Sequence, residues 1–206
     1  MHPNRGQWDQ RINYSIDLEL GKLLIENGGF TCYLTDYLQH ARHAEQDHHE
    51  THQESSYKYH VLRQSFLGAN QQSNKIEKGS SLFYSNYILG NDSSHWKSNI
   101  HAVSEVTFED FYPGIDMVYD SKDHQLRYNV VVSPGAIVED IRFQIDGADK
   151  ISLTKKGELE IFNRFGKLME SMPICWSVNN EGKRKNVKCS FSLSNNIISF
   201  EVGPYD

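Results

Sequence analysis

The sequence holds three cysteines, Cys32, Cys175 and Cys189, and no C-x-x-C pair. A zinc ribbon is therefore excluded, and the odd count leaves at least one thiol outside any disulfide framework. Prolines number five, and no Pro-rich linker divides the chain. No internal repeat of about 20 to 50 residues is visible. No run approaches the ~18 apolar residues of a membrane span. The opening, Met1-His2-Pro3-Asn4-Arg5-Gly6-Gln7, has no apolar stretch of the kind that drives export, so any signal peptide is expected to be absent from this chain. Basic charge is also scarce: 21 Lys plus Arg stand against 27 Asp plus Glu, for a formal net charge of -6. That balance argues against a module built to bind nucleic-acid backbones through a basic face, and leaves only a local patch open. The nucleophile elbow G-x-S-x-G, the phosphate loop and the dinucleotide fingerprint G-x-G-x-x-G are all missing.

What remains is a chain of 206 residues and 23.8 kDa. Surface scaling gives roughly 9,900 Å² folded against roughly 34,500 Å² unfolded, so about 70% of the surface is hidden on folding and no metal or disulfide staple is required. Hydrophobic residues make up 38% and aromatics 12%. Disordered chains are poor in aromatics, so this one folds.

Period-two alternation dominates. Ile12, Tyr14, Ile16, Leu18 and Leu20 form one stripe, as in a half-buried strand. Lys22 to Glu26 and Phe30 to Thr35 flank Asn27-Gly28-Gly29, where positive φ is cheap, and read as a hairpin. Further strands are expected at 59–67, 82–89, 101–108, 115–119 and 125–132. A tight meander follows at 140–146, 150–154, 158–162, 166–169, 173–178, 186–193 and 197–202, broken by turn clusters such as Lys155-Lys156-Gly157 and Asn180-Glu181-Gly182. Many short strands at such spacing predict an all-β, antiparallel sandwich spanning residues 1–206, and leave open one sandwich or two lobes. Residues 38–58, with five histidines and almost no apolar position, read as an exposed polar loop within it, and Asn70 to Ser80 as a second.

His48 and His52, at i,i+4 with Glu50 between, are the candidate metal ligands, although the spacing does not match a metalloprotease. A solvated loop with adventitious metal affinity is the simpler reading, and no cofactor is expected. Glu105, Glu109, Asp110, Asp116, Asp120 and Asp123 crowd a short interval, which could suggest glycosidase chemistry, but crowding along the chain is not pairing across a cleft. Alternation puts Ile115, Met117 and Tyr119 on one strand face and leaves Asp116 and Asp120 on the other, where a solvated face explains them. Three S-x-x-K matches, at Ser55, Ser94 and Ser152, signal chance. Pairing Ile174, Trp176 and Val178 inward against Val187, Cys189 and Phe191 sends Cys175 to the face opposite Cys189, so no disulfide is expected between them. Exposed aromatics on a sandwich can stack on sugar rings. Trp96, Tyr87, Tyr84 and Tyr112 are the candidate ligand-binding residues, with Trp8 and Tyr205 as further possibilities.

Several phrases occur together: Asn4-Arg5-Gly6-Gln7-Trp8, Phe66-Leu67-Gly68-Ala69-Asn70, Asn86-Tyr87-Ile88-Leu89-Gly90-Asn91-Asp92, Phe111-Tyr112-Pro113-Gly114-Ile115-Asp116-Met117-Val118-Tyr119 and Leu126-Arg127-Tyr128-Asn129-Val130-Val131-Val132-Ser133-Pro134-Gly135. Taken in order, they cover nearly the whole chain. It resembles the uncharacterised N-terminal domain that precedes seven-bladed β-propeller-type repeats, or Ig-like and polycystic-kidney-type modules, in large bacterial surface proteins. Many of those look like gliding-motility-associated or type IX secretion cargo of Bacteroidetes. The resemblance implies a secreted or cell-surface module that serves adhesion, assembly or presentation beside neighbouring domains of a longer protein, with a glycan or surface protein as ligand. It transfers no catalytic residue, and a non-enzyme is expected. A carbohydrate-binding domain and a hydrolase are the two alternatives.

Overall fold

The structure, a computed structural model, describes residues 1–19, 21–36, 58–122 and 125–205. The candidate metal ligands His48 and His52, with almost all of the histidine-rich segment, lie outside the described residues. Among those described there is no α-helix, only two short 3₁₀ turns at Ser93–His95 and Val138–Asp140. No helix there is long and apolar enough to cross a membrane.

All the strands pair antiparallel. One eight-stranded sheet runs β1 (His2–Pro3), β2 (Ile12–Leu18), β3 (Gly21–Glu26), β4 (Gly29–Thr35), β5 (Tyr59–Phe66), β10 (Arg142–Asp146), β17 (Ile197–Val202) and β16 (Cys189–Ser194). A second, four-stranded sheet runs β6 (Lys75–Tyr87), β7 (Lys97–Tyr112), β8 (Ile115–Lys122) and β9 (Gln125–Val132). Two small sheets complete the described fold: β11 (Lys150–Leu153), β12 (Leu159–Asn163) and β13 (Gly166–Glu170), then the hairpin of β14 (Cys175–Val178) and β15 (Arg184–Val187). The all-β sandwich is thus the observed architecture.

The two larger sheets meet through an aromatic seam. Tyr14 and Phe66 of the eight-stranded sheet stand edge-on to Phe108 and Phe111 of the other, with ring centroids 6.4 and 5.4 Å apart. Phe108 in turn meets Tyr119 at 5.5 Å, and Phe66 meets Phe143 at 5.4 Å. Edge-to-face pairs of this kind add about 0.5–1.5 kcal/mol each beyond the area they bury. β8 shows why the strand forms where it does: Ile115, Met117 and Tyr119 are buried, while Asp116, Val118 and Asp120 are partly exposed, the alternation read from the sequence. The β3–β4 hairpin also follows the sequence reading. Gly29 at its start lies so close to β5 that a Cβ there would sit 2.0 Å from the Gln64 carbonyl oxygen.

β1 is an unexpected short strand, β7 runs past the expected 101–108 at both ends, and two further segments differ more deeply. Residues 75–80, read as loop, open β6. This is an edge strand with exposed Ile76 and Lys78, so it has no buried stripe to betray it. The single strand expected at 186–193 is two. Arg184–Val187 pairs with β14, and from Cys189 onward the chain pairs with β17, the Lys188 carbonyl already accepting from the Gly203 amide at 2.7 Å. A strand that changes partners keeps its apolar character, so periodicity does not reveal the switch.

The register of the small hairpin reverses another expectation. Cys175 lies opposite Val187. Ile174, Trp176 and Val178 therefore face solvent rather than the core. Cys175 turns to the same side as Cys189, not to the opposite one, and all three thiols are free.

Candidate functional site

The phrase Asn4-Arg5-Gly6-Gln7-Trp8 is a self-bonded turn. The Asn4 amide nitrogen donates to the carbonyls of Trp8, Asp9 and Ile12 at 3.3, 2.9 and 2.7 Å, and its oxygen accepts from the amides of Gly6 and Trp8 at 2.9 and 3.3 Å. One side chain thereby bridges the turn and the start of β2, sharing its two N–H donors among three carbonyls and accepting from two amides. Buried Gln7 closes the turn, donating to the Pro3 carbonyl at 2.8 Å and accepting from the Arg5 amide at 2.6 Å. Beside it an open cleft of ≈310 Å³ is lined by Asn4, Arg5, Trp8, Asn13, Tyr14 and Lys75. Its cations are occupied: Arg5 pairs with Glu77, and Lys75 donates to the Ser73 carbonyl at 3.3 Å and stands over the Phe108 ring. Glu77 also accepts from the Tyr14 hydroxyl at 3.0 Å; burial, then the carboxylate, raise that phenol's pKa.

The four candidate ligand-binding aromatics do not share one surface. Tyr112 is buried; its hydroxyl donates to the Leu67 carbonyl at 3.0 Å, and burial pushes its pKa up to about 12. It is a core residue locking the Phe66-Leu67 segment to the four-stranded sheet. Tyr87 is half-buried, edge-on to Trp8 at 5.2 Å. Tyr84 and Trp96 do face solvent, 59% and 41% exposed, with Tyr84 beside His101 and the Trp96 indole donating to the Gly90 carbonyl at 3.2 Å.

Just before Tyr84 lies a feature that residue-type reasoning missed. β6 pairs Ser80 with Val103 and then Tyr84 with His101, so Ser81, Leu82 and Phe83 oppose the single residue Ala102. The chain bulges outward, leaving Leu82 93% and Phe83 85% exposed. The bulge is held by local hydrogen bonds. His101 Nδ1 donates to the Ser81 carbonyl at 2.8 Å, and the Phe83 amide donates to Ser81 Oγ at 3.0 Å. Tyr84 follows on the same edge strand, and Ile88, Leu89 and Trp96 in the connection to β7 are also exposed. The sequence did carry a signal: Leu82-Phe83-Tyr84 puts three apolar residues in succession, and a one-sided strand buries only every second one.

The clustered carboxylates are structurally engaged. Lys78, Glu105, Asp120 and Arg127 form one row across β6, β7, β8 and β9, a cation at each end of two anions. Lys78 bonds Glu105 at 2.9 Å, and Arg127 bonds Asp120 at 2.6 Å. Asp116 accepts from the Asp110 amide at 2.8 Å where that backbone takes φ 47°, and Glu109 accepts from Asn74 at 2.8 Å. Asp123 lies outside the described residues. Among the described residues no group of three or more His, Cys, Asp or Glu is placed to hold a metal ion. A buried carboxyl lies elsewhere: Glu170 of β13 accepts from the Tyr128 hydroxyl of β9, and burial raises the Glu170 pKa.

These elements define a multi-sheet antiparallel β domain whose conspicuous surface is apolar. The chain belongs to the family described as a domain of unknown function (DUF7948), which matches residues 1–206. No curated protein and no solved structure matches it.

Proposed function

We propose that the domain is a non-catalytic interaction module of a larger secreted or cell-surface bacterial protein, and that the Leu82–Phe83 bulge is where it docks on a neighbouring domain. The observation that carries this reading is the exposure of two large apolar side chains on a hydrogen-bonded bulge of an edge strand. Solvating them costs free energy that a docked partner would recover, at roughly 1.5–3 kcal/mol per fully buried side chain. An edge strand also offers unpaired backbone groups to a partner strand. The placement beside propeller-type or Ig-like modules, in gliding-motility-associated or type IX secretion cargo, is supported by the sequence resemblance. A photoreactive phenylalanine at position 83 of the parent protein tests the reading. Cross-links from residue 83 into an adjoining domain are expected; a residue 83 that reacts only with solvent would overturn it.

A second reading, a carbohydrate-binding domain, is favoured by the exposed rings of Tyr84 and Trp96. Glycan-array binding by the isolated domain, with and without added metal, that is lost in Trp96→Ala or Tyr84→Ala would establish it.

A further inference from the structure

Cys175 and Cys189 meet at the seam between two sheets. Cys175 begins β14 of the small hairpin, Cys189 begins β16 of the eight-stranded sheet, and only Lys188 separates Cys189 from the end of β15. Extending the Cys175–Val187 register by two residues sets Cys189 opposite Pro173, diagonal to Cys175 and on its face. The contact confirms the placement: Cys189 Sγ donates to the Pro173 carbonyl at 3.2 Å, and the two thiols lie in hydrogen-bonding contact with each other. Both residues are half-buried, so small reagents reach them. Cys32, by contrast, is buried in β4, where burial pushes its thiol up to about 11.

We propose that Cys175 and Cys189 are a dithiol–disulfide pair which, on oxidation by a low-molecular-weight disulfide, covalently fastens the β14–β15 hairpin to the eight-stranded sheet. One cysteine, as thiolate, attacks a sulfur of the oxidant; its S–S bond breaks, one small thiolate leaves, and a mixed disulfide forms. The second cysteine, as thiolate, attacks the protein sulfur of that mixed disulfide and expels the other small thiolate. The two cysteines lose two electrons and two protons, and the oxidant gains both as two small thiols. Burial and the neighbouring thiol both raise the Cys175 pKa, which slows attack through Cys175 at neutral pH. The link would hold the hairpin that presents Ile174, Trp176 and Val178 to solvent. This inference is independent of the docking surface proposed above.

Incubation of the folded domain with oxidised glutathione, followed by alkylation and peptide mass mapping, tests it. The expected result is a peptide pair joined through Cys175 and Cys189, two hydrogens lighter than the reduced pair, with Cys32 still alkylated. Cys175→Ser should convert Cys189 to a stable glutathione adduct, Cys189→Ser should do the reverse, and Cys32→Ser should leave the link intact. Glutathione adducts on both Cys175 and Cys189 of the unmutated domain, with no link between them, would overturn the proposal, as would a domain whose thiols all remain free.

Discussion

β8 and β6 belong to one sheet and differ in almost every other respect. β8 lies between two partners and turns one face to the core, so Ile115, Met117 and Tyr119 are buried and its register runs without a break from Ile115 to Lys122 against β9. β6 has a partner on one side, buries no residue, and slips register twice, once at the bulge that exposes Leu82 and Phe83. A buried face fixes side-chain parity, because a slip of one residue would send the whole apolar set into solvent. An edge strand with two wet faces has no such penalty and is free to bulge. The interior of this sheet therefore serves stability, while its edge has room for an interaction surface.

Truncating the interior should have the largest effect. Phe108→Ala opens the seam where Phe108 meets Tyr14, Phe111 and Tyr119, and should cost about 3–5 kcal/mol in denaturant unfolding. Gly29→Ala should follow. Its new Cβ would press on the Gln64 carbonyl at a backbone φ of 155° that L-residues avoid, for a loss of about 1–3 kcal/mol by the same measurement. Asn4→Ala removes the side-chain hydrogen bonds that tie the N-terminal turn to the start of β2 and should cost about 1–2 kcal/mol, with faster amide exchange at Gly6 and Trp8.

A pH series probes the interior differently. Because burial raises the Glu170 pKa, the folded state keeps that proton over a pH range in which the unfolded chain has lost it. Its contribution to stability is therefore greatest in acid and falls as pH rises from the ordinary carboxylate range through the folded value. Glu170→Gln, which can still accept from Tyr128, should flatten that fall in thermal melts run across the range. An unchanged slope would mean that another group sets it. Smallest of all, Leu82→Ala or Phe83→Ala on the bulge should leave unfolding within about 0.5 kcal/mol of the parent domain. A larger loss would move these side chains from the edge account to the interior one.

The same contrast decides what could be read beforehand. The β3–β4 hairpin, the β8 stripe and the pairing of β16 with β17 were legible because alternation and turn residues coincide there. The start of β6 was not, since Lys75 to Ser80 has no buried side to give it a period. The chain's change of partner at Lys188 escaped for a topological reason: Val187 and Cys189 keep the same parity whichever strand they face. The hairpin reads inverted for a separate reason: Ile174, Trp176 and Val178 are the more apolar row, yet it is Cys175 that pairs with Val187, and this hid both the outward apolar row and the meeting of Cys175 with Cys189. Of the proposed aromatics, Tyr84 and Trp96 are exposed, whereas Tyr112 serves the core. Residue type alone does not separate them, because a tyrosine with a carbonyl to bond is as well placed inside as out.

The central claim is that Leu82 and Phe83 form a surface covered in the parent protein. Hydroxyl-radical footprinting of the isolated domain and of the parent protein tests it most directly. Leu82 and Phe83 should be labelled strongly in the isolated domain and protected in the parent, with Phe108 and Phe111 protected in both. Equal labelling of Leu82 and Phe83 in the two would contradict it.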